Sequence, residues 1–264
     1  MNRIENKFRK LKAVRRKAFI PSVTAGDPDI TTSLEVVVML AKNGADIIEL
    51  GVPFSDPMAD GPTIQASSQR ALENGVTLRD ILQMVRKLRI DTDVPIVLFS
   101  YLNPLYRYGF DKLATEAAEA GIDGILVTDV VDEEAAEISD CLRTTNIDLI
   151  SLIAPTTTDE RLEKIAARSN GFLYAVSRTG VTGAQKETGA AAETLVRRTR
   201  GFTKLPIAVG FGISQPEHVK AVWQEADGAV VGSAVVRVIE ENAGFSDVAD
   251  RVARFTLWLR GEPA

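Results

Sequence analysis

Glu49 lies inside the apolar run Ala45-Asp-Ile-Ile-Glu-Leu50, and Asp60 follows eleven residues later in a loop rich in Asp, Pro and Gly. Burying an ionised glutamate is costly unless something compensates it, so packing alone gives no reason to place one between Ile48 and Leu50. Two acids in unlike surroundings suit general acid–base chemistry: one is poised to trade a proton near neutrality while the other stays ionised. The plain alternative is stronger for Asp60 than for Glu49, because Asp-Gly and Asp-Pro form turns and Asp56-Pro57 reads as the same device.

Three glycine-rich segments add a second kind of chemistry: Thr179-Gly-Val-Thr-Gly183, Val209-Gly-Phe-Gly-Ile-Ser214 and Val231-Gly-Ser233. Glycine lets backbone N–H groups approach an anion, and a helix N-terminus adds about half a positive charge, so these segments predict a phosphate seat. Phe99, Tyr101, Leu126, Leu152, Tyr174 and Phe211 are residue types that more often form core, and their places near strand ends also suit the lining of a pocket for a flat aromatic ligand. The stretch 177–189 is rich in Gly, Thr and Ser, lacks periodicity and reads as a lid. No P-loop, dinucleotide fingerprint or zinc spacing occurs, and no metal is expected. His218, the one histidine, follows Pro216 early in a helix and reads as solvated or capping.

The elements that must position these residues repeat at intervals of about 30 residues. Apolar strand candidates fall at 18–24, 45–50, 95–100, 124–128, 148–153, 172–176, 206–209 and 228–231. Helical periodicity appears at 30–43, 77–89, 110–120, 132–144, 159–169, 191–200, 216–225 and 233–241, resuming at 247–259. Gly44, Gly121 and Gly171 each close a helical stretch as left-handed caps. Buried strands alternating with helices imply a parallel sheet covered on its faces, and eight units predict a closed (β/α)₈ TIM barrel occupying residues 1–264 as one domain. In such barrels chemistry gathers at the carboxyl ends of the strands, which puts Glu49, Asp60 and the glycine segments at one mouth.

Composition is close to that of an average soluble globular protein: 45% of residues are hydrophobic and 25% charged. The single Cys141 suits a reducing compartment, so a cytoplasmic location is expected. No apolar run reaches a membrane span, and a net charge of −5 argues against general nucleic-acid binding. Basic residues crowd the first 17 positions, but Ile4, Phe8 and Leu11 at helical spacing predict an extra amphipathic N-terminal helix rather than a basic arm.

Nearly the whole chain resembles the tryptophan synthase alpha subunit family. The resemblance rests on Phe19-Ile-Pro-Ser-Val-Thr-Ala-Gly-Asp-Pro28, Glu49-Leu-Gly-Val-Pro-Phe-Ser-Asp-Pro-Met-Ala-Asp-Gly-Pro-Thr-Ile-Gln65, Tyr174, Ser177-Arg-Thr-Gly-Val-Thr-Gly183, Gly210-Phe-Gly-Ile-Ser214 and Gly232-Ser233. It implies retro-aldol cleavage of indole-3-glycerol phosphate to indole and glyceraldehyde 3-phosphate. Glu49 would move the protons and Asp60 would hold the indole N–H, with Tyr101 and Tyr174 close to the acid. Thr182 would meet Asp60 on lid closure, and Gly183, Gly212, Gly232 and Ser233 would seat the phosphate. It also implies no cofactor in this chain, and a beta subunit carrying pyridoxal phosphate in an alpha2beta2 assembly, contacted through Asp56, Asn103, Pro104 and Asp129. The chain departs from the family at Thr128-Asp-Val-Val131, on the side facing the partner, and at Ser22, where a bulky aromatic is frequent. A stand-alone lyase, a non-catalytic phosphate-binding regulator and another phosphate-binding barrel enzyme are the alternatives.

Overall fold

The computed structural model describes residues 2–130, 132–176, 185–210 and 212–263, with backbone alone at 132–134 and 185–190. After helix α1 (Arg3–Ala13) come β1 (Ala18–Thr24), α2 (Ile30–Lys42), β2 (Ile48–Gly51), α3 (Pro62–Glu73), α4 (Leu78–Leu88), β3 (Ile96–Ser100), α5 (Leu102–Tyr108), α6 (Phe110–Ala120) and β4 (Gly124–Val127). The second half adds α7 (Asp132–Leu142), β5 (Asp148–Ile153), α8 (Asp159–Arg168), β6 (Leu173–Val176), α9 (Gln185–Thr199), β7 (Ile207–Gly210), α10 (Pro216–Glu225), β8 (Gly228–Val231), α11 (Ser233–Asn242) and α12 (Val248–Arg260). The strands close a parallel barrel in sequence order, β8 returning to β1. This is the (β/α)₈ barrel that the alternation predicts.

One hydrophobic cluster fills the barrel interior, and a larger and a smaller one lie between strands and helices. Helix α1 turns Ile4, Phe8 and Leu11 onto the floor, where the Phe8 and Phe172 rings stand 5.7 Å apart; the basic residues around them stay on the wet side. The amphipathic reading of the N-terminus therefore holds. Gly124 admits this close packing, since a Cβ there would lie 3.0 Å from Ile4 Cδ1.

Floor aspartates pin neighbouring strands together. Asp46, Asp123 and Asp227, each just before a strand, accept the backbone N–H of Phe19, Ile96 and Ile207 at the start of the preceding strand. Arg3, Lys7, Arg16, Lys17, Arg89 and Arg200 compensate their charges. The glycine caps hold at Gly44 and Gly121, each with φ of 89°, whereas Ser169 ends α8 in extended backbone and Gly171, with φ 66°, lies two residues beyond it.

Candidate active site

Helix α3 fixes the loop that carries Asp60. Pro62 occupies its first turn, where a missing N–H costs nothing. Its buried face is small and polar: the Ser67 and Thr24 hydroxyls are 2.6 Å apart, and Arg70 grips the buried Asp27 in a two-pronged ion pair at 2.7 and 2.9 Å. The start of α3 thus stands over the ends of β1 and β2. Tyr101, at the end of β3, ties the loop from the other side. Its hydroxyl accepts the Ala59 N–H at 3.0 Å and donates to Asp60 Oδ2 at 3.1 Å.

Glu49 and Asp60 line one cavity of about 320 Å³ at the barrel mouth, with Ser22, Phe99, Tyr101, Tyr174, Gly212, Gly232, Ser233 and Arg237 among its walls. Glu49 is 2% exposed, and its Oε1 has no hydrogen-bond partner among the described residues. Burial pushes its proton affinity up to about 7; the Ser22 hydroxyl opposes the rise and the charge of Asp60 adds to it. Burial also lifts Asp60, to about 6, against the stabilising hydrogen bond from Tyr101. At neutral pH Glu49 is divided between its two forms while Asp60 is mostly ionised, the separation that acid–base work needs. Neither tyrosine ionises in this setting, because burial and the nearby carboxylates hold both phenols protonated.

Gly210 makes room for Tyr174: a Cβ there would lie 2.1 Å from the phenolic oxygen. Gly212 has φ +71° with open space beside it, and Gly232 precedes α11, whose first N–H groups have no partner within the helix. Ser233 opens that helix, and Arg237, four residues on, comes to the same face. It is the one cation among the described cavity-lining residues.

Of the expected pocket residues, the mouth therefore brings together Glu49, Asp60, Tyr101, Tyr174, Gly212, Gly232 and Ser233. Leu126 is enclosed in the barrel interior with Val97 and Ile150, and Leu152 borders a separate recess with Thr128 and Ala154; neither lines the mouth cavity. Phe211, Thr182 and Gly183 lie outside the described residues. So does the larger part of the expected lid, whose residues 185–189 belong to α9.

Asp56 and Asn103 are exposed on the mouth side, and Pro104 sits in the first turn of α5. Asp129, also exposed, has a structural duty, accepting the Leu102 N–H at the start of α5 at 2.7 Å. Met58, 91% exposed, stands between Asp56 and Asp60 in the same loop. His218 accepts the Ser214 N–H through Nδ1, consistent with a capping role.

Sequence reasoning did not single out Arg237 or the wall formed by Thr24, Ile64 and Ser68. Arg237 had a legible signal in its four-residue spacing from Ser233. Ile64 and Ser68 face the cavity only because α3 folds over the mouth, and Thr24 ends β1 beneath them.

Comparison with known proteins gives a consistent result. The profile of the tryptophan synthase alpha chain family matches residues 8–257. A tryptophan synthase alpha chain of Geobacter sp. (strain M21) is 50% identical over 260 residues, covering 98% of this chain and 97% of its own; that of Solibacter usitatus is 47% identical with the same coverage. Among solved structures, tryptophan synthase subunit alpha from Legionella pneumophila superposes with a TM-score of 0.91 at 40% identity, covering 99% of this chain and 98% of that one. Ligand-free tryptophan synthase from M. tuberculosis gives 0.88 at 34% identity, covering 98% of both chains.

Proposed function

The chain belongs to the tryptophan synthase alpha chain family, and from that premise we propose that Glu49 and Asp60 carry out the lyase reaction at the barrel mouth. The reaction is the retro-aldol cleavage of indole-3-glycerol phosphate to indole and glyceraldehyde 3-phosphate, a step of tryptophan biosynthesis. The observation that carries the residue assignment is the carboxyl of Glu49, buried, without a partner on Oε1 and balanced near neutrality inside the mouth cavity.

Protonation at indole C3 leaves a positive charge that the ring nitrogen shares. As the hydroxyl on the adjacent side-chain carbon gives up its proton and its oxygen forms the aldehyde C=O, the carbon–carbon bond breaks and its electron pair returns to the ring. One proton enters and one leaves, so a single carboxyl able to exchange in both directions serves both transfers, and Glu49 is placed to do so. Ionised Asp60, oriented by Tyr101, accepts the indole N–H and stabilises the ring charge where it develops.

Gly212, Gly232 and Ser233, with the N-terminus of α11, receive the phosphate, and Arg237 supplies formal charge beside them. Gly183 and Thr182 join the seat and the closed lid. Phe99 and Tyr174 flank the ring, with Phe211 as a further contact. The chain needs no cofactor of its own.

Alpha chains of this family work with a beta subunit. The mouth-side residues Asp56, Asn103, Pro104 and Asp129 face that subunit in an alpha2beta2 complex in the cytoplasm, and pyridoxal phosphate resides in the partner. Among the described residues no helix is long and apolar enough to cross a membrane.

Glu49→Gln keeps shape and removes the titrating proton. Indole release from indole-3-glycerol phosphate is expected to fall by about 10² or more; turnover within a few-fold of the native chain would overturn the assignment. Adding a beta subunit and serine to the assay separates a coupled subunit from a stand-alone lyase.

A further inference from the structure

Ser22 is the half-buried position of β1, and its register partner on β2 is Glu49. Register partners on parallel strands project to the same face, and both side chains line the mouth cavity. Ser22 also borders the phosphate seat, since a Cβ built on Gly232 would lie 3.6 Å from Ser22 Cβ and 3.9 Å from its Oγ. One small hydroxyl thus stands between the carboxyl that moves protons and the glycine that receives phosphate.

The charge balance around Glu49 gives that hydroxyl its importance. The ionisable groups facing Glu49 are Asp60 from the loop after β2 and Tyr174 from β6; Arg237, the described cation of the cavity, belongs to α11 at the phosphate side. Burial and Asp60 both favour the protonated form, and the Ser22 hydroxyl acts in the other direction. A buried carboxylate with one donor and no cation depends heavily on that donor for its charged form.

We propose that Ser22 is a positioning residue of the lyase site: its hydroxyl donates to the Glu49 carboxylate, holds it toward the cavity and keeps its charged form accessible while Oε1 stays free for the substrate. The inference rests on Glu49 being the acid–base group.

Ser22→Ala removes the donor and leaves a smaller side chain, so folding is not at risk from crowding. Ser22→Thr keeps a hydroxyl. In Ser22→Ala the limb of the kcat profile set by Glu49 moves to higher pH, whichever proton transfer comes first, and activity on that limb changes about three- to tenfold. KM for indole-3-glycerol phosphate stays within about twofold, because no contact to the phosphate is lost. Ser22→Thr returns the limb toward its native position. The Glu49 carboxyl is followed directly in the resting protein by carbon NMR of labelled glutamate, where the same upward displacement is expected.

A native pH profile and a native Glu49 titration in Ser22→Ala would overturn the proposal, as would a change in KM alone. Running Glu49→Gln in parallel separates the two levels. If Glu49→Gln is inactive while Ser22→Ala titrates as the native chain, only the role of Ser22 falls; if Glu49→Gln turns over normally, the acid–base reading falls with it.

Discussion

Holding Glu49 ready for chemistry has a thermodynamic cost that a titration of stability exposes. Its proton affinity rises from the ordinary 4.5 to about 7 in the folded chain. The native state therefore binds this proton more tightly than the unfolded state does, and the stability it confers is fully present below about pH 4.5 and lost progressively as pH rises to about 7. At about 1.4 kcal/mol per pH unit, the whole displacement is worth about 3 kcal/mol, with about 2.5 kcal/mol of the change falling between about pH 5 and pH 8. Glu49→Gln abolishes this dependence, since an amide resembles the protonated acid in shape and does not ionise. Urea unfolding of both proteins across this range gives the difference in stability at each pH. Comparing the two ends of the series cancels any fixed cost of seating the amide beside Ser22. The variant should gain about 2 to 3 kcal/mol relative to the native chain on going from about pH 5 to pH 8, while losing indole release. A difference flat to within about 0.5 kcal/mol would mean that Glu49 is not held protonated by the fold, and a difference of opposite sign would mean its charged form is stabilised.

Tyr101→Phe deletes the donor to Asp60, so Asp60 should become harder to ionise; kcat should fall about tenfold at neutral pH, with its acid limb displaced upward in a pH–rate series. Gly210→Ala forces its methyl group onto the Tyr174 hydroxyl, so indole release should drop sharply while the circular dichroism spectrum stays native. Arg70→Ala strands the buried Asp27, and thermal or urea unfolding should report a loss of about 3 to 5 kcal/mol, much of it recovered by also changing Asp27 to Asn.

All eight strands were legible because a strand covered on both faces is written as an apolar run that needs no partner to be recognised. Its edges were less so. β2 begins at Ile48 rather than Ala45, since Ala45 still donates back to Leu40 at the end of α2 and Asp46 turns to bond Phe19. Helices α3 and α5 were missed for different reasons. The buried face of α3 is Ser67, Ser68 and Ala71, a pattern without an apolar stripe, and α5 carries Asn103-Pro104 in its first turn, where proline is tolerated yet reads as a break. Helix α9 starts at Gln185, ahead of the 191–200 stretch that periodicity suggested. In the site, both acids were legible from an incongruous residue type and a loop motif, but depth was not. Leu126 and Phe99 are register partners, and only Phe99 lines the mouth; strand tilt and stagger set that layer, and no single strand encodes them.

A displaced proton affinity does not by itself mark the reacting group, as Asp148 demonstrates. It too is raised to about 7, by burial first and then by Glu5 and Asp123, and its Oδ2 is buried without a partner among the described residues. Yet Asp148 opens β5 at the floor, the end opposite Glu49, beside α1 and a groove lined by Lys12, Arg15 and Lys204. The other floor acids Asp46, Asp123 and Asp227 show what that end does with carboxylates: it bonds them to strand N–H groups and pairs them with cations. Asp148 is a fourth member lacking those partners, so its effect should be confined to stability. Asp148→Asn is expected to make the chain more stable above about pH 7, where the native carboxylate is forced to ionise, and to leave kcat and KM unchanged. Glu49→Gln shares the first effect and destroys turnover. Loss of indole release in Asp148→Asn, with the fold intact, would show that the floor reaches the chemistry and that position along the barrel axis does not separate the two kinds of buried acid.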